Sequence, residues 1–391
     1  MITLSFCSAH PLSRAVHDIY RAFRRGERIV ALCSRPEELK LALAEIGLKS
    51  IVGGQPHLDC ISLRHGQAGA CELCNARSPH EPLRVALLGH GTVGTGLYRR
   101  VAELPDHFTV VGIAVRDVRK AERAGAPARL LHDRCWRVLR KPADVVVELI
   151  GGTVRAPRVI AWSLKLGRHV VTANKAVIAP RAPQLEKLAR ARGVQLLYSA
   201  SVGGALPALE TLRRERGSVR AFSGVLNATS NFVLDSIAEG LLPREAVEAA
   251  QRAGYAEADP RLDLDGTDAA QKLIILSRAA FGRDPARVFC QGIAQLDPVR
   301  VRAARKEGKA VRLVASCSEA GEARVGPELL PLEHPLGETR GAENRLLVER
   351  LDAEPLLLSA TGAGRWPTAE AVLADLYDVV STPRRAPARS A

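Results

Sequence analysis

The sequence predicts an α/β protein, with a parallel-sheet unit followed by a mixed α+β unit. Three observations carry that prediction. An apolar strand, LRVALLG at 83–89, runs into a glycine turn and a helix through Arg100 to Leu104, and a second strand, TVVGIAVRD, follows. Further apolar strands at Val145–Ile150, His169–Thr172 and Val194–Tyr198 are each reached through a helical or irregular segment, the alternation that builds a parallel sheet. Beyond Ser199 the pattern changes to a strand-like SVRAFSGVL and to helices over Ser230–Glu239 and Thr267–Ala280.

Ahead of this frame, residues 1–80 read separately. They hold a helix over Ala15–Arg24, a strand over Arg28–Cys33 and a helix over Pro36–Ile46, after which Gly, His and Cys become frequent. Cys60, His65, Cys71 and Cys74 suggest zinc, but C-x4-H-x5-C-x2-C is irregular for a structural site, so scattered thiols are the expectation. At the other end, residues 382–391 are rich in Pro and Arg and read as a disordered tail.

With 391 residues, 47 % of them apolar, the chain can pack two or three domains. No stretch approaches the roughly 18 apolar residues of a membrane span. Met1–His10 has no secretory pattern, so the cytoplasm is expected, and the eight cysteines, without a disulfide-framework spacing, are expected reduced. The formal charge of +14 comes mostly from dispersed arginines such as Arg213, Arg214, Arg216 and Arg220. That dispersal speaks against nucleic acid, while the charge favours anionic substrates and a phosphorylated cofactor.

Gly89-His90-Gly91-Thr92-Val93-Gly94 fits G-x-G-x-x-G directly after a strand and at the start of a helix, the context that makes it a dinucleotide loop of a Rossmann-like domain. Gly89 permits the tight turn, Gly91 lets backbone approach a pyrophosphate, and Gly94 permits close helix–strand contact, while the N–H groups opening the helix at Thr92 and Val93 face the phosphates. The second strand ends at Val115-Arg116-Asp117, where the ribose is read; Arg116, with Lys120 behind it, suits a 2′-phosphate and favours NADP over NAD. By the same strand-end logic, Gly151, Gly152 and Thr153 line the nicotinamide side.

An acidic run follows: Glu257, Asp259, Asp263, Asp265 and Asp268, ending on a helix that carries Lys272. Asp268 and Lys272, four apart, share a helical face at roughly 5–6 Å between Cβ atoms. Such pairs are common on solvated helices and contribute only about 0.2–0.5 kcal/mol. Here the helix continues as LIIL, which points the pair toward a cleft floor. An ammonium there suits hydride reduction of an aldehyde, which builds negative charge on oxygen and needs a proton. Lys175, in TANKAV, sits at the end of a strand where such sheets bind ligands, although a loop lysine is ordinarily just solvated. Asn227, Thr229 and Asn231 in LNATSN suit substrate hydrogen bonds, with Ser230 or Thr229 the expected cap of the next helix.

Taken in order, the motifs resemble the homoserine dehydrogenase family from about residue 83 to 380. They are GHGTVGTG (89–96), VVELIGG (146–152), VVTANKAVIA (170–179), SASVGGALP (199–207), GVLNATSNFVL (224–234), GYAEADPRLDLDGTDAAQKLIIL (254–276), HPL (334–336) and TGAGRWPTAEAVLADL (361–376). The resemblance implies an NAD(P)-binding domain over 81–200 and 355–381, a substrate-binding and dimerisation domain over 201–354, and a homodimer. It implies that Thr361–Gly364, with Gly362, returns to the cofactor before a helix begun at Pro367 and Thr368. The reaction implied is the interconversion of L-aspartate 4-semialdehyde and L-homoserine, toward threonine and methionine. Lys175 and Lys272 would lie near the reacting oxygen, either one as the proton carrier, with Asp268 supporting them and Glu257, Asp263 and Asn227 holding the substrate.

The resemblance also implies a Na⁺ or K⁺ site on the main chain of Ser199, Val202, Gly204 and Leu206, although the family often has Glu where this chain has Ser199. Residues 15–36 resemble the start of an aspartate kinase domain but are far too short to be one, leaving a remnant or a regulatory or assembly arm. No room remains after the last motif for a C-terminal regulatory domain, so threonine feedback through one is not expected. Three competing readings are a non-catalytic NAD(P)-binding sensor, a dehydrogenase of another amino-acid aldehyde, and zinc-dependent nucleic-acid binding by the N-terminal part. Intact Lys175, Asp268 and Lys272 oppose the first, and the Glu257–Asp263 pair, suited to a substrate ammonium, discriminates the second.

Overall fold

The computed structural model describes residues 1–6, 12–33, 35–52, 61–65, 81–361 and 364–380. Within them lie three sheets. The first joins β1 (Ile2–Ser5), β2 (Ile29–Cys33), β3 (Ser50–Val52) and β4 (Ile61–His65) in the order β1-β2-β4-β3, all parallel, with α1 (Leu12–Arg24) and α2 (Pro36–Glu45) as crossovers. α1 forms because Val16, Ile19, Tyr20 and Phe23 recur at helical spacing, and all four are buried. The expected N-terminal helices and strand are all present. β1, β3 and β4 are additions that turn the segment into a small folded unit.

The second sheet contains β5 (Leu83–Leu88), β6 (Phe108–Ala114), β7 (Leu131–His132), β8 (Val145–Glu148), β9 (His169–Thr172) and β10 (Leu196–Leu197). They run parallel in the order β10-β9-β8-β5-β6-β7. Strand order therefore reverses between β5 and β8, and the crevice beyond their carboxyl ends is where such sheets bind ligands. Its central strands are covered on both faces, which is why Val145, Val146 and Val147 run apolar without alternation and are fully buried. α3 (Thr92–Ala102), α4 (Ala156–Lys165) and α5 (Lys175–Ala191) follow β5, β8 and β9.

The third sheet, with the order β12-β14-β13-β11-β15-β16, comprises β11 (Val219–Val225), β12 (Phe289–Cys290), β13 (Lys309–Ser318), β14 (Ala323–Pro331), β15 (Glu343–Arg350) and β16 (Ala353–Thr361). It is antiparallel except where β12 lies beside β14. α6 (Ala228–Ala238) and α7 (Thr267–Phe281) pack on it, and α7 also touches α5, which brings the two large sheets to one cleft. The chain then returns as α8 (Arg365–Val380) against α3. Because β16 pairs with β15 through Thr361, the crossing back begins after that strand rather than at residue 355.

α8 also receives α1. His17 Nδ1 lies 3.1 Å from Glu370 Oε2, its ring stacks 4.5 Å from that of Tyr377, and both His17 and Glu370 are buried. The N-terminal unit is thus docked on the nucleotide sheet's last helix. Cys60, Cys71, Cys74, Gly362 and residues 382–391 lie outside the described residues. Among those described, no group of three or more His, Cys, Asp or Glu is placed to hold a metal, and no helix is long and apolar enough to cross a membrane.

Candidate active site

The glycine turn after β5 is fixed by two close approaches and one opening. Gly89 has φ +106°, and a Cβ there would lie 2.5 Å from the Leu149 carbonyl oxygen; a Cβ at Gly94 would lie 2.2 Å from the Gly89 oxygen. Gly91, which caps α3, would meet nothing within 4 Å. Thr92 is exposed and Val93 half-buried, leaving the first amides of α3 turned to an open cradle. A dinucleotide pyrophosphate fits that cradle, and side chains larger than Gly91 would fill it. Arg116 stands exposed just past β6, and Asp117 caps the next helix by accepting from the Lys120 amide at 2.9 Å.

One buried carboxylate shapes the cleft behind this loop. Glu148, the last residue of β8, is fully buried. Its Oε1 accepts from the amides of Ile150 at 2.9 Å and Gly151 at 3.0 Å, and its Oε2 from Thr172 Oγ1 at 2.6 Å. Thr172 Oγ1 accepts in turn from the Asn174 amide at 3.1 Å, and Asn174 Nδ2 donates to the Gly152 carbonyl at 2.9 Å. The loops after β8 and β9 are therefore tied to each other through Glu148. Gly151 and Gly152, at φ +69° and +74° and with no atom within 4 Å of an added Cβ, leave the mouth between them open.

At that mouth Lys175 opens α5, and α7 supplies Asp268 and Lys272. Lys175 Nζ lies 3.0 Å from Asp268 Oδ1 and Lys272 Nζ 2.7 Å from Asp268 Oδ2. Burial favours a neutral Asp268, but the two ammonium groups and Asn227 Nδ2, at 2.8 Å, hold its carboxyl far below the usual range. Burial likewise opposes charge on Lys175, yet Asp268, Asp263 and Glu257 together raise its pKa. Lys272 is spent inside the protein, donating to the Leu226 carbonyl at 2.5 Å as well as meeting Asp268, and its side chain is 12 % exposed. Lys175 is 36 % exposed. The result is one carboxylate between two cations, with the more accessible cation facing the cleft.

A homoserine dehydrogenase NAD-binding domain profile matches residues 89–199, and a homoserine dehydrogenase profile matches 207–377. The homoserine dehydrogenase of Corynebacterium glutamicum is 37 % identical over 321 residues, covering 77 % of this chain and 72 % of that protein. That of Synechocystis is 35 % identical, over 76 % and 73 % of the two chains. The chain belongs to the homoserine dehydrogenase family. The solved homoserine dehydrogenase of Thiobacillus denitrificans superposes with a TM-score of 0.71 at 38 % identity, covering 76 % of this chain and 73 % of the other. That of Staphylococcus aureus at pH 8.5 gives 0.65 at 31 %, over 77 % of each. As a member of this family the chain is an NAD(P)-dependent oxidoreductase.

The dehydrogenase's cleft draws together residues far apart in sequence. Asp263 accepts from Asn227 Nδ2 at 2.7 Å and Thr229 Oγ1 at 3.1 Å. Asn227 itself caps α6, its Oδ1 accepting from the Ser230 amide at 2.7 Å, so the cap is neither Ser230 nor Thr229. The one Thr229 hydroxyl proton is shared with the Tyr255 carbonyl, 2.6 Å from Oγ1. Asn231 turns away from the cleft, its Nδ2 donating to the Glu343 carbonyl at 3.1 Å. Glu257 is exposed at the rim. Glu148 escaped the sequence reading, although a Glu closing the apolar run VVV was a signal: buried carboxylates need partners.

The Ser199–Leu206 loop, where the resemblance implies a cation site, has a protein cation beside it. The carbonyls of Ser199 and Leu206 already accept from the amides of Val202 at 3.3 Å and Ala208 at 2.8 Å, while Gly203 accepts from Leu206 at 3.0 Å. Ser199 Oγ accepts from Arg24 Nη2 at 3.0 Å. The carboxylates beside the loop, Glu210 and Asp375, both face that guanidinium. A fixed guanidinium therefore already holds the counter-charges that an exchangeable monovalent cation at Ser199 would face.

Proposed function

We propose that this chain interconverts L-aspartate 4-semialdehyde and L-homoserine with NADP(H), and that Lys175 carries the proton. The observation behind this reading is the accessible Lys175 ammonium beside a buried Asp268 at the carboxyl edge of the nucleotide sheet. The cradle at Gly91 with the α3 amides would hold the pyrophosphate, Gly151 and Thr153 the nicotinamide side, and Arg116 with Lys120 a 2′-phosphate. When bound, the nicotinamide supplies the hydride to the aldehyde carbon or accepts it from the alcohol.

Lys175 does the rest of the chemistry at oxygen. An ammonium has three donors. Lys272 directs two of them to Leu226 and Asp268 and is 12 % exposed, whereas Lys175 meets Asp268 and keeps more exposed surface. In aldehyde reduction Lys175 stabilises the growing negative charge and gives its proton to the oxygen, leaving an alcohol and a neutral amine. In the reverse direction it must first be neutral. Since its neighbours raise its pKa, homoserine oxidation climbs with pH on the alkaline side. Asp268 and Lys272 are positioning residues, and Asp263 with Glu257 suits the substrate's ammonium. The same reading takes the working unit to be a cytoplasmic homodimer.

The deciding experiment follows NADP⁺ and NAD⁺ reduction with L-homoserine at alkaline pH in wild type, Lys175→Ala and Lys272→Ala. Turnover with NADP⁺ preferred, lost in Lys175→Ala while cofactor still binds, supports the reading. A folded, cofactor-binding wild type that leaves homoserine untouched sinks it.

A further inference from the structure

Arg24 is the last residue of α1, in the N-terminal unit that neither family profile reaches, yet its side chain is 7 % exposed and lies inside the dehydrogenase body. Its Nη2 shares its two protons among Ser199 Oγ and Asp375 Oδ1, each at 3.0 Å, and Glu210 Oε1; its Nε donates to Glu210 Oε1 at 3.1 Å. Asp378 Oδ2 stands 3.6 Å from Nη2. The other oxygen of Asp375 accepts from the Ser199 amide at 2.9 Å. One guanidinium therefore ties α1 to three segments: the loop that leaves the nucleotide sheet after β10, the helix Ala208–Arg214 that opens the substrate half, and α8.

The electrostatics show what it does there. Burial works against the charge on Arg24, but Glu210 and Asp375 more than offset it and raise its pKa; despite its own burial, Glu210 is held below its ordinary value by Arg24. Without Arg24, Glu210 and Asp375 would share only the longer-range attraction of Arg213, which lies over the Tyr198 ring, and their mutual repulsion would be costly. Another cation would have to fill the gap. A covalently attached guanidinium does so without any dependence on ion concentration, and its fork reaches two carboxylates where an ammonium acts as a point charge.

We propose that the N-terminal unit supplies Arg24 as a built-in cation that locks the Ser199–Leu206 loop between the nucleotide and substrate halves and makes this dehydrogenase independent of sodium or potassium ions. Arg24 is a positioning residue, and the unit that carries it is a working part of the enzyme. The rate measurements below rest on the proposed dehydrogenase activity; the melting measurements do not.

The test compares full-length wild type, Arg24→Ala and Arg24→Lys in NaCl, in KCl and in choline chloride at equal ionic strength, by thermal melting and by homoserine oxidation. Wild type is expected to melt at one temperature and turn over within about twofold in all three salts, since no alkali ion takes part. Arg24→Ala is expected to melt several degrees lower in choline, to lose about tenfold or more in kcat/KM there as the halves misalign, and to recover on both measures in NaCl or KCl. Arg24→Lys, which keeps the charge, is expected to stay indifferent to the salt, and decides the matter if the alanine variant does not fold. A wild type or Arg24→Lys protein that needs an alkali ion overturns the proposal. So does a folded Arg24→Ala that melts and turns over as wild type does. If homoserine is not turned over at all, the melting comparison alone decides.

Discussion

Two buried ion clusters of this molecule are mirror images. At the cleft, one carboxylate, Asp268, sits between Lys175 and Lys272; under the N-terminal unit, one guanidinium, Arg24, sits between Glu210 and Asp375. At the cleft two ammonium groups meet one carboxylate, with Asp263 and Glu257 also acting on Lys175, and Lys175 is 36 % exposed, whereas Arg24 is 7 % exposed. The exposed cation is available to a reacting oxygen, and the enclosed one is available only to structure. The same ion-pair chemistry therefore serves reactivity or cohesion according to whether water reaches it.

The sharpest way to break this comparison is at Lys175. Lys175→Ala is expected to lower kcat for homoserine oxidation by roughly a hundred- to ten-thousandfold while nucleotide binding, read by fluorescence of the reduced cofactor, persists. A larger loss in Lys272→Ala than in Lys175→Ala would reverse the two roles. Next comes the brace beneath the cleft: Glu148→Gln forces one oxygen acceptor to become a donor facing the amides of Ile150 and Gly151 or the Thr172 hydroxyl. The expected cost is about 1–3 kcal/mol in stability, with kcat reduced more than the affinity for homoserine. Chemical denaturation and steady-state kinetics on one preparation check both parts.

Smaller still is the effect of Arg116→Ala, which should cut the preference for NADP⁺ over NAD⁺ by about tenfold, as measured by the ratio of kcat/KM values, through loss of one charge-assisted contact. Unchanged discrimination would remove Arg116 from the ribose site.

The smallest effect separates the clusters by sign of pH dependence. Asp268 is depressed, so its contribution to stability is present above the ordinary carboxylate pKa and lost as pH falls below it. Asp375 is pushed up to about 6, by burial first, with Arg24 only partly opposing it. Its folded state binds the proton more tightly than the unfolded chain does, so stability is lost as pH rises from the ordinary carboxylate range through about 6. Asp375→Asn should flatten the melting curve in that window, and a variant that kept the wild-type slope would assign the titration to another group.

Much of the fold was legible because its signals are local. The β5 turn announces itself through Gly89, Gly91 and Gly94, and the interior strands through continuous valines. The third sheet was only partly legible. β11 was anticipated, but β13 and β14 were not, and β15 hid its alternation of buried Asn344, Leu346 and Val348 beneath polar and charged neighbours. The role of residues 1–65 was hidden for a different reason: Arg24 reads as one more arginine in RAFRRGER until α8 is laid against α1.

By itself, then, the sequence determined the parallel sheet and its order of motifs, the dinucleotide turn, and the Asp268–Lys272 pair on one helical face. Each depends on a period or a spacing within about twenty residues, where backbone geometry alone decides which side chains meet. Tertiary structure alone decided that Lys175 reaches the other oxygen of Asp268, that Glu148 joins two loops, and that Arg24 closes against Glu210 and Asp375. Those contacts depend on how helices and sheets pack and which charges are thereby taken out of water, and a buried charge is stable only where packing delivers its partner.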